Sequence, residues 1–138
     1  MGCDDRRGLF NGYSWLPLAA DYTHENVANL DADAGSIFNL YKALIALRRK
    51  LPQLVTGAYQ SVAAHGDILL YCRGSEGEAV IVALNLGAEP VSVALSSIGF
   101  GREILLSTFL DRQGEQVQDT LDLRGNEGVI LGRPAQAG

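Results

Sequence analysis

From Tyr59 onward the sequence consists of short apolar runs separated by turn residues, and this pattern constrains the fold more than any other feature. Val91, Val93 and Leu95 alternate with small or polar residues, which is typical of a strand with one buried face. Residues 80–84 are continuously apolar and predict a central strand. The candidate strands are 58–64, 67–73, 79–86, 90–96, 102–109, 116–123 and 127–132. Their short, regular spacing predicts a mainly β fold, an antiparallel Greek-key β-sandwich.

One amphipathic stretch precedes these strands and predicts a single α-helix over about residues 36–51. Ser36 is a residue type that favours the N-cap position, and Pro52 ends the pattern. The apolar residues at helical spacing are Ile37, Leu40, Tyr41, Leu44, Ile45 and Leu51. Further apolar residues extend this surface to a second flank, so the helix needs cover on two sides.

The first 34 residues show no sustained hydrophobic period and predict an extended segment. A loop of this length is uncommon within a compact domain. Its aromatic residues, Phe10, Tyr13, Trp15 and Tyr22, need an apolar surface to lie on. These features predict that the segment is a connection that packs on a larger body.

Composition excludes several classes of partner. The 138 residues carry a formal net charge of −5, with 11 Lys and Arg in total. No basic cluster could neutralise several phosphates, which argues against nucleic acid. No apolar run reaches the length of a membrane span. Cys3 and Cys72 are too few for a disulfide framework and favour a reduced, cytoplasmic setting.

Residues 13–57 carry the most specific resemblance to a known family. They contain the motifs Trp15-Leu16-Pro17, Asn26-Val27 and Leu47-Arg48-Arg49, the last of them at the end of the helix. This block resembles the end of the catalytic barrel in the α-amylase superfamily of glycoside hydrolases, most closely the α-glucosidase and oligo-1,6-glucosidase branch. There, such a loop leads into the last barrel helix and a small antiparallel β domain follows. The pairs Asn85-Leu86 and Gly128-Val129 extend the resemblance along the chain.

This resemblance implies two parts, residues 1–57 as the end of the barrel and residues 58–138 as the C-terminal β-sandwich. The parent enzyme would cleave or transfer α-linked glucosyl units by a retaining mechanism, with its barrel as the partner of this chain in cis. Its two catalytic carboxyl groups would lie on barrel strands outside these residues. We therefore assign no catalytic residue here, and the chain alone would have a structural role.

Trp15 is the one candidate for substrate binding, because its loop resembles one near the sugar cleft of the family. The competing interpretation is that Trp15 anchors the loop on the barrel. The family usually carries an Arg-Thr-Pro-Met-x-Trp stretch before this loop, whereas Arg6-Arg7-Gly8 and its neighbours stand here. Residues 1–12 are therefore not assigned a substrate contact.

No other residues form a recognisable site in the sequence. The remaining carboxylates fall in predicted loops and turns and do not suggest a catalytic pair; they include Asp21, Asp31, Asp33, Glu76 and Asp111. His24 and His65 are too few for a zinc site, and no cofactor motif occurs. We expect neither a metal nor a cofactor.

Two alternatives remain open from the sequence. A carbohydrate-binding β-sandwich would need exposed aromatic residues, yet Tyr59, Tyr71, Phe100 and Phe109 fall mostly in strands predicted to be core. An assembly domain that joins protomers is the other alternative. Uncovered apolar surface on the helix and the Trp15 loop predicts a homodimer, or exchange of the N-terminal segment between copies.

Overall fold

The computed structural model describes residues 19–75, 77–95 and 102–133, which divide after Asn39 into two compact units. Three helices lie in these ranges: α1 Val27–Ala32, α2 Ile37–Lys50 and α3 Gln53–Thr56. The strands are β1 Tyr59–His65, β2 Ile68–Arg73, β3 Val80–Asn85, β4 Val91–Ala94, β5 Arg102–Ser107, β6 Gln116–Val117, β7 Thr120–Leu123 and β8 Gly128–Gly132. The prediction of a mainly β chain is confirmed, and the prediction of a single helix is wrong.

Helix α1 lies in the segment that the sequence predicted to be extended. Its N-cap is Asn26, whose side chain accepts a hydrogen bond from the backbone nitrogen of Asn29 at 3.0 Å. Past its end, the side-chain amide of Asn39 donates to the carbonyl oxygen of Asp33 at 2.7 Å. None of the six residues of α1 is buried, so no hydrophobic pattern marks it in the sequence. Side-chain capping rather than core packing holds this helix in place.

Helix α2 matches the predicted helix closely. The hydroxyl of Ser36 accepts a hydrogen bond from the backbone nitrogen of Asn39 at 3.2 Å, which confirms the predicted N-cap. Three consecutive cations, residues 48–50, lie in its last turn, where they complement the helix dipole. Pro52 follows as the N-cap residue of α3.

The strands form two antiparallel sheets. The larger has the order β1-β2-β3-β8-β5-β6, and the smaller pairs β4 with β7. Strand β8 lies between β3 and β5, so the strand order is not consecutive, as Greek-key connections require. A two-residue turn, Gly66-Asp67, joins β1 to β2, and His65 pairs with Ile68 across it.

Both sheets contribute to one hydrophobic core. Ile81, Ile104 and Leu131 from the larger sheet are fully buried together with Leu121 of β7. The other buried members are Leu70, Ala83, Leu95, Val117, Leu123 and Val129. The core between two sheets confirms the predicted sandwich, and β3 is the central strand that its continuous apolar run predicted.

One predicted strand is wrong. Residues 116–123 form two strands, because β6 pairs with β5 whereas β7 pairs with β4 in the other sheet. The chain changes sheets at Asp119, whose carbonyl oxygen accepts a hydrogen bond from the backbone nitrogen of Leu95 at 2.7 Å. Asp119 falls in the inward phase between Val117 and Leu121, where a continuous strand would bury its carboxylate.

Candidate functional site

The densest group of charged residues surrounds Glu127, the residue before β8. The side chain of Glu127 is fully buried, and its two oxygens accept hydrogen bonds from three side chains and one backbone nitrogen. The distances are 2.6 Å from Arg124 Nη2, 3.1 Å from Arg112 Nη1, 2.9 Å from Ser107 Oγ and 2.9 Å from the backbone nitrogen of Arg124. We call Glu127, Arg112, Arg124 and Ser107 the Glu127 cluster.

A tight turn brings Arg124 back onto Glu127. Asn126 has a positive φ of 56°, a conformation that asparagine tolerates better than most residues. At Gly125, an added Cβ atom would lie 1.9 Å from the carbonyl oxygen of Ala88, so only glycine fits. The other members of the cluster come from the end of β5 and the loop after it.

The electrostatics of the cluster favour the ionised carboxylate. Burial by itself raises the pKa of Glu127, but hydrogen bonds from Arg124 and Ser107 and the charge of Arg112 outweigh it, and the net pKa lies below the usual range. Hydrogen bonds from Arg124 lower the pKa of Asp111, and those from Arg112 lower the pKa of Glu115. These carboxylates are therefore charged at neutral pH.

Such an arrangement cannot perform acid catalysis on a glycoside. A retaining glycosidase needs one carboxyl group that holds a proton and a second that is free to attack, about 5–5.5 Å apart. Glu127 is ionised and its oxygens are occupied, and both oxygens of Asp111 bind Arg124 at 2.6 and 2.7 Å. The guanidinium of Arg124 also lies 4.4 Å from the ring centroid of Phe109, which completes a structural tie between the β7–β8 turn and the loop after β5.

The residues singled out in the sequence are not brought together as a site. Trp15, Cys3 and Glu76 lie outside the described residues, so the role of Trp15 stays a prediction. Asp21 and Asp33 are exposed in the first unit, and Asp31 lies within α1 rather than in a loop. Across residues 19–75, 77–95 and 102–133, no group of three or more His, Cys, Asp or Glu residues could hold a metal ion.

An apolar surface on α2 is a stronger functional candidate than any polar cluster. Leu40, Leu44 and Leu47 are partly buried, whereas Tyr41 and Ile45, one turn apart, are 61% and 50% exposed. We call Tyr41 and Ile45 the α2 flank. These two adjacent apolar side chains make this face of α2 a candidate contact surface.

The aromatic residues of the β part are more exposed than the sequence predicted. Tyr59 is 59% exposed on β1, and its ring centroid lies 5.2 Å from that of the partly buried Tyr71 on β2. Phe109 is 47% exposed, because it follows β5 in a turn rather than lying within the strand. The prediction that these residues lie mostly in the core is wrong for Tyr59 and Phe109, and Phe100 lies outside the described residues.

Comparison with known proteins reveals relatives that are much longer than this chain. No family model matches it. Trehalose-6-phosphate hydrolase from Escherichia coli (strain K12) is 35% identical over 86 residues, which are 62% of this chain and 16% of that protein. Salivary alpha-glucosidase from Aedes aegypti is 33% identical over 128 residues, which are 86% of this chain and 22% of that protein. The chain spans about a fifth of the length of the curated relatives that it matches.

A solved structure matches over a similar range. Trehalulose synthase MutB from Pseudomonas mesoacidophila MX-45 superimposes with a TM-score of 0.75 at 29% identity, and the match covers 88% of this chain and 22% of that one. The fold and these matches define the class of the β part, which is the C-terminal β domain of glycoside hydrolases. The chain belongs to the α-amylase superfamily, with the α-glucosidases and oligo-1,6-glucosidases among its relatives.

Two further observations concern the helices and Cys72. Within the described ranges, none of the helices combines the length and the apolar character needed to cross a membrane. Cys72 is a free, partly buried thiol, and burial raises its pKa although the charge of Arg102 opposes the shift. A raised pKa makes Cys72 a poor nucleophile at neutral pH.

Proposed function

We propose that this chain serves as the C-terminal part of an α-glucosidase-like parent enzyme, which hydrolyses or transfers α-linked glucosyl units with retention of configuration. Residues 1–57 would form the end of the catalytic barrel and residues 58–138 the β-sandwich behind it. The chain would stabilise the barrel without taking part in the reaction. The observation that carries this proposal is the match to trehalulose synthase MutB, which takes in 88% of this chain but only 22% of that one.

The α2 flank supports contact with a barrel in cis. Tyr41 and Ile45 are exposed, while Leu40 and Leu44 on the same helix are partly buried. A helix with apolar residues on both flanks is normally covered on both. The relatives are about five times longer than the region that matches, so a further body is available in them to cover the second flank.

An activity assay tests the structural role. The purified chain should release no chromophore from a chromogenic α-glucoside above the rate in buffer, with an oligo-1,6-glucosidase as the positive control. Turnover that co-purifies with the chain and survives repeated chromatography would contradict the proposal. The genomic sequence upstream should encode roughly 400 more residues in the same frame, the size of a barrel with insertions.

In isolation, the chain should cover the α2 flank with a second copy, as a homodimer or by exchange of the N-terminal segment. The supporting observation is the exposure of Tyr41 and Ile45, because contact of apolar surface with water is unfavourable. The double substitution Tyr41→Lys/Ile45→Lys should remove this association. Lysine has a high helix propensity, so α2 itself should be retained. An unchanged sedimentation coefficient in the double variant would argue against the α2 flank as the contact.

A second candidate function is binding of α-glucan by the β-sandwich. The exposed ring of Tyr59 beside Tyr71 favours this function, because a tyrosine side chain combines an apolar ring face with a hydroxyl that can form hydrogen bonds. A titration with maltooligosaccharides, followed by NMR, tests it. Shifts confined to β1 and β2 that disappear in Tyr59→Ala but persist in Phe109→Ala would support this function, and an unchanged spectrum at millimolar sugar would exclude it.

We also propose a cytoplasmic location, because Cys72 is unpaired and a reducing compartment keeps such thiols free. Fractionation of the native host with an antibody against the chain tests this proposal. Recovery of the chain in the secreted fraction would contradict it.

A further inference from the structure

The two ends of the larger sheet differ in how well they are protected. A strand at a sheet end presents unpaired backbone groups to which another chain can bind. At one end, β6 has only two residues, so it offers little to pair with. At the other end, β1 has seven residues, and all of them except Val62 are exposed.

Strand β1 lacks most of the features that usually protect an edge. Its sequence, Tyr-Gln-Ser-Val-Ala-Ala-His, contains no proline, lysine, arginine or carboxylate. Val62 points toward the core, where it packs against the buried cluster. The one irregularity is a β-bulge between Ser61 and Ala63, which divides β1 into two regular runs of three residues.

The phase of the ladder identifies which backbone groups are free. The two-residue turn makes His65 and Ile68 the hydrogen-bonded pair that closes the hairpin. Hydrogen-bonded and non-hydrogen-bonded pairs alternate along an antiparallel ladder, so the backbone groups of Ala64 point away from β2. Ser61 shares this phase, because its partner Tyr71 lies two residues from Leu69, the partner of Ala64.

We propose that the outer edge of β1 pairs with β1 of a second copy of this chain, antiparallel and about a twofold axis between Val62 and Ala63. This register places Ala64 opposite Ser61 of the second copy, and Ser61 opposite the second copy's Ala64. The outward backbone groups of both residues then form two hydrogen-bonded pairs. Gln60 of one strand then lies opposite His65 of the other, and the two bulges lie beside the axis.

Charge and symmetry favour a second copy over another partner. A twofold interface brings the same surface of each chain together, so charges within it would meet their equals. The chain carries a net charge of −5, yet β1 contributes no carboxylate to it, so this edge avoids repulsion between copies. Two seven-residue strands bury less than the ~1,200 Å² of stable complexes, so the dimer should dissociate on dilution.

The test uses the full chain carrying Tyr41→Lys/Ile45→Lys, which removes association through the α2 flank. Ala64→Pro is added to this background, because it deletes the outward N–H and proline is tolerated at such an edge position. Ala64→Thr is the matched control, since it keeps the N–H and the strand propensity. Ala64→Lys is the second disrupting variant, and circular dichroism verifies that each variant is folded.

Sedimentation velocity over a hundredfold range of concentration gives the result. With increasing concentration, the measured mass of the background variant should rise from 14.8 kDa toward twice that value, and the mass of the Ala64→Thr variant should rise in the same way. Ala64→Pro and Ala64→Lys should remain at 14.8 kDa. A background variant that stays monomeric throughout, or a folded Ala64→Pro variant that dimerises like Ala64→Thr, would overturn the pairing through β1. Neither result bears on the α2 flank, whose association is measured by comparison with the unmodified chain.

Discussion

At the scale of single residues, Glu127 ties the turn before β8 to the end of β5. We expect Glu127→Gln to lower the free energy of unfolding by about 1–3 kcal/mol, the cost of leaving buried hydrogen-bonding partners poorly matched. The loss stays below that of a fully buried ion pair, because Arg124 and Arg112 keep contact with water. Urea unfolding measures it.

The matched control is Glu115→Gln. Glu115 binds Arg112 at 2.6 Å, but its side chain is 45% exposed, so its ion pair is screened by solvent. This substitution should cost less than about 1 kcal/mol. If the two variants lose the same stability, the burial of Glu127 contributes nothing and the structural role assigned to the Glu127 cluster is wrong.

The same carboxylates predict how stability depends on pH. The folded-state pKa values of Glu127, Asp111 and Glu115 lie below their unfolded values, so folding favours the ionised forms. Their contribution is complete above about pH 4.5, near the unfolded pKa of these groups, and is lost as the pH falls through the folded pKa values. In measurements from pH 7 to pH 3, the urea concentration at the unfolding midpoint should decrease once the pH falls below about 4.5. This decrease should be less steep in Glu127→Gln.

The residue scale shows what the sequence could and could not reveal. Ser36 was identifiable as an N-cap because its partner lies three residues away and the motif is local. Glu127 was not identifiable, because its partners Ser107 and Arg112 lie 20 and 15 residues away, in a loop whose path depends on the whole sheet. The exposure of Tyr59 was missed for a similar reason, since strand composition does not tell which strand lies at the edge of a sheet.

At the scale of elements, β3 is the center of the fold, with β2 on one side and β8 on the other. Ile81 is fully buried and pairs with Leu131 of β8. Ile81→Ala should therefore cost about 2–5 kcal/mol, through lost burial and the cavity that remains. Chemical denaturation measures this loss.

The control for Ile81→Ala is Leu86→Ala, one residue past the end of the same strand. Leu86 is 67% exposed, so its truncation should change stability by less than about 0.5 kcal/mol. Equal losses in both variants would mean that β3 is not buried between its neighbours as described.

Elements with a strong local pattern were predictable, whereas those defined by tertiary contacts were not. The alternation at Val91 and Val93 identified β4, and helical spacing identified α2. Helix α1 was not predicted, because side-chain capping holds it without any buried residue. The division of residues 116–123 into β6 and β7 was not predicted either. Val117, Leu121 and Leu123 continue one alternation of buried and exposed positions across the change of sheet. Only the polar Asp119 in that phase signalled the change of sheet.

At the scale of the whole molecule, the chain has two surfaces with different chemistry. The α2 flank is apolar and suits a covering body, whereas the edge of β1 offers backbone hydrogen bonds and suits another strand. In the proposed parent enzyme the barrel would cover the first surface, which shares no residue with the second. Contact with the barrel and pairing between copies would therefore use different residues of the chain.

The last prediction separates the roles of the α2 flank in the isolated chain and in the parent enzyme. At dilutions where the isolated chain is monomeric, Tyr41→Lys/Ile45→Lys should change its stability by no more than about 0.5 kcal/mol, because both side chains then face water. In the parent enzyme, the same change would place two unpaired ammonium groups against the barrel. It should destabilise the enzyme by about 2–5 kcal/mol, since removing charges from water without partners is costly.

Thermal unfolding of both forms, monitored by scanning calorimetry, measures this difference. Thr120→Lys is the matched control, because it adds a charge at an exposed position on β7 rather than on α2 and should affect both forms equally. A double variant that shifts the melting temperature of the isolated chain as much as that of the parent would show that Tyr41 and Ile45 pack within the chain itself. The barrel contact would then have to lie on a different surface of the molecule.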